Sequence, residues 1–147
     1  MKHIIYFIAI ILTMFSTACM HNGGDIGHLY GQWRLEQITT GTQVEECDTV
    51  FLAFQSDIFQ IRKVNYTSFE TISYTGLYRR PDNNLMLNIY NYWGNDIDTK
   101  QDTVATLVSL EHLYIDKLSP LFIVKNLDSD NMVLEYNNHC YHCVKLD

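Results

Sequence analysis

From residue 32 onward the chain is built of short runs in which apolar and polar residues alternate, separated by turn-forming residues. "QWRLEQIT" (32–39) sets Trp33, Leu35 and Gln37 against Arg34, Glu36 and Ile38, which is the two-residue period of a strand. "TVFLAFQ" (49–55) is β-branched and aromatic, and apolar on both faces. The dipeptide "SD" (56–57) then leads straight into "IFQIRKV" (58–64), so the two runs predict a hairpin. "ETISYTGLYR" (70–79) places Ile72, Tyr74 and Tyr78 together, and "RPDNN" (80–84) is a turn before "LMLNIYN" (85–91), with Leu85, Leu87 and Ile89 facing inward. "PLFIVKNL" (120–127) and "MVLEYN" (132–137) flank "DSDN" as another hairpin, and "HCYHCVKL" (139–146) is the closing strand. Between the fifth and sixth strands lies a polar loop, "NYWGNDIDTKQD" (91–102). It is followed by "TVATLVSLEHLYI" (103–115), where the spacing of Val104, Leu107 and Val108 predicts one short helix that Asp102 can cap. Many short strands joined by tight turns predict an all-β domain. Consecutive hairpins favour an antiparallel up-and-down meander, and closing it into an eight-stranded barrel removes both exposed edges.

The N-terminus has a different pattern. After Lys2 and His3, "IIYFIAIILTMF" (4–15) is an uncharged apolar run, too short to span a hydrocarbon core of ~30 Å. It reads as a signal peptide. The "FSTAC" that follows resembles the lipobox of bacterial lipoproteins: Thr17 and Ala18 fit it, and Ser16 stands where leucine is usual. The resemblance implies cleavage before Cys19 and acylation of that residue. The expected organisation is therefore a signal peptide (1–18), a lipidated cysteine with a flexible tether (19–28) and a barrel domain (29–147). Acyl chains contribute about 0.8 kcal/mol per buried CH₂, so the expected partner of Cys19 is a lipid bilayer. A lipoprotein of the outer membrane, at the cell envelope, is the address this implies.

"YGQWRLEQITTG" (30–41) puts Gly31, Gln32 and Trp33 at the start of the first strand. This resembles the Gly-x-Trp signature of lipocalins and the opening of small lipocalin-like lipoproteins of Bacteroides-type bacteria. "CDTVFLAFQSDIFQIRK" (47–63) is similar to the second and third strands of that bacterial group. The resemblance extends over residues 28–147. It implies a lipocalin-like barrel, with Gly31 allowing a tight turn into the first strand and Trp33 plugging one end. It also implies binding or carriage of a small hydrophobic ligand. The alternative is an envelope adaptor or inhibitor with a side-chain-filled barrel, acting through protein–protein contacts. The sequence departs from the family in having no helix after the last strand, and Lys145 is the only cation near the position of the family's late arginine.

An eight-stranded barrel is just wide enough to be filled by side chains or to hold one small ligand. Taking the more apolar parity of each strand as inward predicts a lining of Leu35, Leu52, Phe59, Ile61, Tyr74, Leu87, Met132, Leu134 and Tyr136, with His142 facing the mouth. The ten tyrosines supply phenolic hydroxyls that can orient a ligand.

Charge and motifs narrow the function further. The formal charge is −7 with no basic stripe, which argues against a nucleic-acid partner. No nucleophile elbow, phosphate-binding loop, dinucleotide fingerprint or zinc-protease helix occurs, so no enzymatic activity and no cofactor is expected. "HCYHC" (139–143) carries four ligand-type residues, but strand alternation puts His139 and Cys143 on one face and Cys140 and His142 on the other, so no metal site is expected. Cys140 and Cys143 lie about 10 Å apart along a strand, beyond the ~7 Å a disulfide tolerates. In a closed meander the eighth strand lies beside the first. This brings Cys47, read as part of the loop after the first strand, toward Cys140 as a candidate disulfide. Cys47–Cys143 and a fully reduced state are the alternatives.

Overall fold

The computed structural model describes residues 27–93 and 103–146. The apolar leader, Cys19, most of the tether and Asp102 lie outside the described residues. The strands are β1 (Gly31–Thr40), β2 (Gln43–Gln55), β3 (Ile58–Asn65), β4 (Glu70–Arg79), β5 (Asn84–Trp93), β6 (Leu121–Leu127), β7 (Asn131–Tyr136) and β8 (His139–Leu146). Each pairs antiparallel with the next, and β8 returns to pair with β1, so the sheet closes into a barrel in simple sequence order. Helix α1 (Thr103–Leu110) and a 3-10 turn (Glu111–Leu113) stand between β5 and β6, and a shorter 3-10 turn (Gly27–Leu29) precedes β1. The eight-stranded antiparallel barrel with one short helix is the architecture the alternation predicts.

Alternation fills the interior. Leu52 and Phe54 on β2, Phe59 and Ile61 on β3, Leu85, Leu87 and Ile89 on β5, and Met132, Leu134 and Tyr136 on β7 are all buried. Bulges break the two-residue rule at defined points. One between Leu35 and Gln37 shifts the phase of β1, so Ile38 turns inward in place of Gln37. Turn chemistry fits the hairpins: Asn137 and Asn138 both take left-handed φ (48° and 65°) in the two-residue β7–β8 turn. At the β6–β7 turn the Asp128 carboxylate accepts the backbone N–H groups of Asp130 and Asn131, and these hold its pKa down at about 2.

The barrel has two unlike ends. At the base, where β1 begins, Trp33 is fully buried and its Nε1–H donates to the Leu29 carbonyl (2.9 Å). Burying an indole removes about 150–250 Å² from water, worth roughly 4–6 kcal/mol. Lys145 lies opposite Trp33 on β8, with its Nζ 4.9 Å from the ring centroid and donating to the His28 carbonyl (2.8 Å). Gly31 has φ +115°, and a Cβ there would sit 3.1 Å from the Lys145 Cε. Gly31, Trp33 and Lys145 thus form one plug beneath the barrel. The mouth, at the other end, carries the β1–β2, β3–β4 and β7–β8 turns together with α1.

Two expectations about sites are corrected by the register. β2 starts at Gln43, so Cys47 is a strand residue, buried on the inner side, while the Cys140 position pairs with Thr39 on β1. β1 therefore separates Cys47 from β8 by two strand spacings, about 9–10 Å, beyond disulfide reach. The Cys47–Cys140 bridge expected from the sequence is not made, and all three cysteines are free thiols in this structure. His142 is the second correction. Tyr141 and Cys143 are the inward residues of β8, which places His142 on the outer face, its Nε2 3.1 Å from the Thr39 Oγ1.

Candidate functional site

Beneath the mouth lies the part of the interior with free space. Leu35, Val50, Leu52, Ile61, Leu87 and Leu134 from the strands, with Phe122, Tyr141 and Cys143, line a cavity of about 20 Å³. Leu113 and Ile115 close it from above. A site for one water needs about 10–15 Å³ and two to four polar partners. This cavity has the room and an apolar lining, so it is a dry gap in the packing. Drug-sized ligands occupy about 300–1,000 Å³, far more than this gap among the described residues holds.

The cap is the segment from α1 to Asp116, and among the described residues Leu110, Leu113 and Ile115 are its buried apolar ones. It is latched by phenols rising from the barrel wall. The Tyr74 hydroxyl donates to the Ser109 carbonyl (3.0 Å), the Tyr141 hydroxyl to the Leu113 carbonyl (2.7 Å), and the Tyr136 hydroxyl to the Asp116 carboxylate. Burial raises the Tyr136 hydroxyl to about 12 and drives the Tyr141 hydroxyl higher still, so both remain protonated donors at any physiological pH. The Tyr136 hydrogen bond in turn holds the Asp116 carboxyl below its usual range. On the outer rim Tyr114, with φ +56°, stacks on His139 at 4.1 Å and donates to Glu45 (2.7 Å). His139 is held by Thr40 (2.6 Å).

Of the lining residues expected from the sequence, Leu35, Leu52, Ile61, Leu87 and Leu134 border the cavity. Phe59, Tyr74, Met132 and Tyr136 are buried elsewhere in the core. The sequence reading missed Val50, Phe122, Tyr141 and Cys143 on the wall and Leu113 and Ile115 in the cap. Tyr141 and Cys143 share one parity of β8, and weighting that pair above His142 would have found them. Nothing in the local pattern of 113–115 announces that it folds back over the barrel. Among the described residues no group of three or more His, Cys, Asp or Glu side chains is placed to hold a metal ion.

The description "Lipocalin-like domain" belongs to the family whose profile matches residues 12–146, most of the chain. This chain belongs to the lipocalin-like family. The lipocalin-like barrel also matches solved structures. One is a lipocalin-like protein from Bacteroides uniformis ATCC 8492, with a TM-score of 0.65 at 20% identity over 82% of this chain and 100% of that one. Another is an uncharacterized protein from Bacteroides eggerthii DSM 20697, with a TM-score of 0.61 at 21% identity over 80% of this chain and 99% of that one. No curated protein matches. At these identities the neighbours show a shared fold.

Proposed function

We propose that this lipocalin-like protein takes up a small hydrophobic molecule in its barrel at the cell envelope, anchored to the outer membrane through an acylated Cys19. The supporting observation is the apolar interior closed by a cap that is not part of the sheet. Among the described residues the cap rests on Thr106, Leu110, Leu113 and Ile115 and a few hydrogen bonds, whereas every strand is held by ladder pairing on both sides. Lifting the cap removes Leu113 and Ile115 from the cavity and frees the hydroxyls of Tyr74 and Tyr141 to meet a polar ligand end. Neither uptake nor release involves a reaction.

Extraction of the protein from native envelopes with organic solvent, followed by mass spectrometry, tests this. An apolar molecule in stoichiometric amount is expected, and its absence from repeated preparations would sink the carrier reading. Anchoring has a separate test: the Cys19→Ser precursor should incorporate no labelled fatty acid, and labelling equal to wild type refutes the anchor. The cavity of about 20 Å³ favours a second reading, in which the barrel stays filled and the protein works as an adaptor or inhibitor through its mouth.

A further inference from the structure

Among the described residues, open space at this end of the molecule also lies outside the barrel. Between the cap and the β7–β8 turn is an open groove of about 460 Å³, over twenty times the interior gap of about 20 Å³. Its apolar floor includes Leu107, Val108 and Ile115, and Val108 is 64% exposed. Tyr114 forms one wall, and across it lies a second open depression of about 370 Å³ that includes Val44 and Glu45. Tyr114 is thus a ridge between two depressions.

That ridge is held in place before anything binds. Its left-handed backbone is fixed by the N–H bond to the Glu111 carbonyl (2.9 Å), its ring by His139 and its hydroxyl by Glu45. An aromatic already held in one conformation loses little entropy on binding. Charge then selects the partner. Glu111 and Asp116 border the groove and Glu45 borders the second depression. The ion pairs among the described residues are Arg34–Glu36 and Lys125–Glu135, so none of these three carboxylates is neutralised by one. Lys117, over the Tyr136 ring at 5.5 Å from its centroid, is a cation near Asp116 and helps hold that carboxyl down, without forming an ion pair with it.

We infer that this groove docks an extended segment of a partner protein carrying aliphatic side chains flanked by lysine or arginine. Apolar side chains would enter the two depressions on either side of Tyr114, and the cations would meet the carboxylates. A ligand of small-molecule size buries 70–90% of its surface, which an open groove cannot provide. A second copy of this chain would bring like charge to like, since the whole chain carries −7. The inference rests on the filled-barrel reading, to which it adds a surface and a partner chemistry.

Fluorescence anisotropy on the full chain in a lipid nanodisc, with empty nanodiscs as blank, tests it. The probes are fluorescein-labelled Lys-Leu-Lys-Leu-Lys, Glu-Leu-Glu-Leu-Glu and Lys-Ser-Lys-Ser-Lys. Saturable binding of the first alone is expected, weakened at least tenfold by Glu111→Lys and by Val108→Asp. Both positions are exposed, and thermal melts superposing on wild type establish that the variants fold. No binding above the blank, equal binding of all three probes, or undiminished binding by the folded variants overturns the docking site. Those failures leave a filled barrel standing. Recovery of a small molecule from the interior would remove the filled-barrel reading by itself, while variant-sensitive peptide binding would still uphold the groove.

Discussion

Gly76 sits at the bulge in the pairing of β4 with β5, and a Cβ there would lie 1.8 Å from the Asn88 carbonyl oxygen. No side-chain rotation relieves that contact, because the obstacle is backbone. Gly76→Ala should therefore destabilise the barrel by about 1–3 kcal/mol or more, read as a lower urea midpoint with little change in slope. Tyr141 is the complementary case, in which an atom is lost. Tyr141→Phe keeps the packing but leaves the Leu113 carbonyl without its donor. It should cost about 1–3 kcal/mol and speed amide exchange in 109–116 before it affects the strands. The sequence showed which residues would be inside wherever alternation was uninterrupted, as with Leu85, Leu87 and Ile89. It misled at Gln37, because a bulge inserts one residue and reverses the parity of everything after it, and no residue type marks that point.

The cap is the element with its own titration. His112 is half-buried beside Lys63 and Glu45, and its Nε2 has no hydrogen-bond partner among the described residues. Burial, aided by the Lys63 charge, lowers its pKa below the ordinary 6.5, although Glu45 and a Ser109 backbone contact oppose the shift. Between the lowered value and 6.5 the unfolded chain holds a proton that the folded chain does not, so stability is full above 6.5 and is lost as pH falls through that window. Melting temperature should drop on acidification from pH 7 toward 5, and His112→Gln should flatten the curve. Asp116 acts in a separate range: its lowered pKa adds stability above about 3.8 that disappears below it. As an element, α1 was legible from the spacing of its apolar residues. The start of β2 was not, because Gln43–Glu46 are exposed on both faces at the rim and show no alternation. Reading them as loop misplaced Cys47 and produced the disulfide that the register forbids.

At the scale of the whole molecule, the count of eight strands and the closure were legible because turn signals punctuate the chain and a closed meander leaves no edges. Whether the barrel would be hollow was not, since inward positions read alike in a filled and an empty barrel. The cap that bears on it comes from a connection between strands. Removal of β8 is the molecule-scale test of closure. A chain ending at Asn138 would expose the edges of β1 and β7, and it should elute from size-exclusion columns as aggregate where the full chain elutes as a discrete species.

The pairing of β1 with β8 also bears on timing. Thr39 and His142 touch across 103 positions of sequence, so the first strand waits without one of its neighbours until the final strand has been synthesised. Contacts this distant form late, because loop closure must precede them. Until then the nascent polypeptide is an open ribbon of hairpins, with the outer edge of β1 unpaired. The topology thus leaves the fold incomplete until its last strand has joined its first.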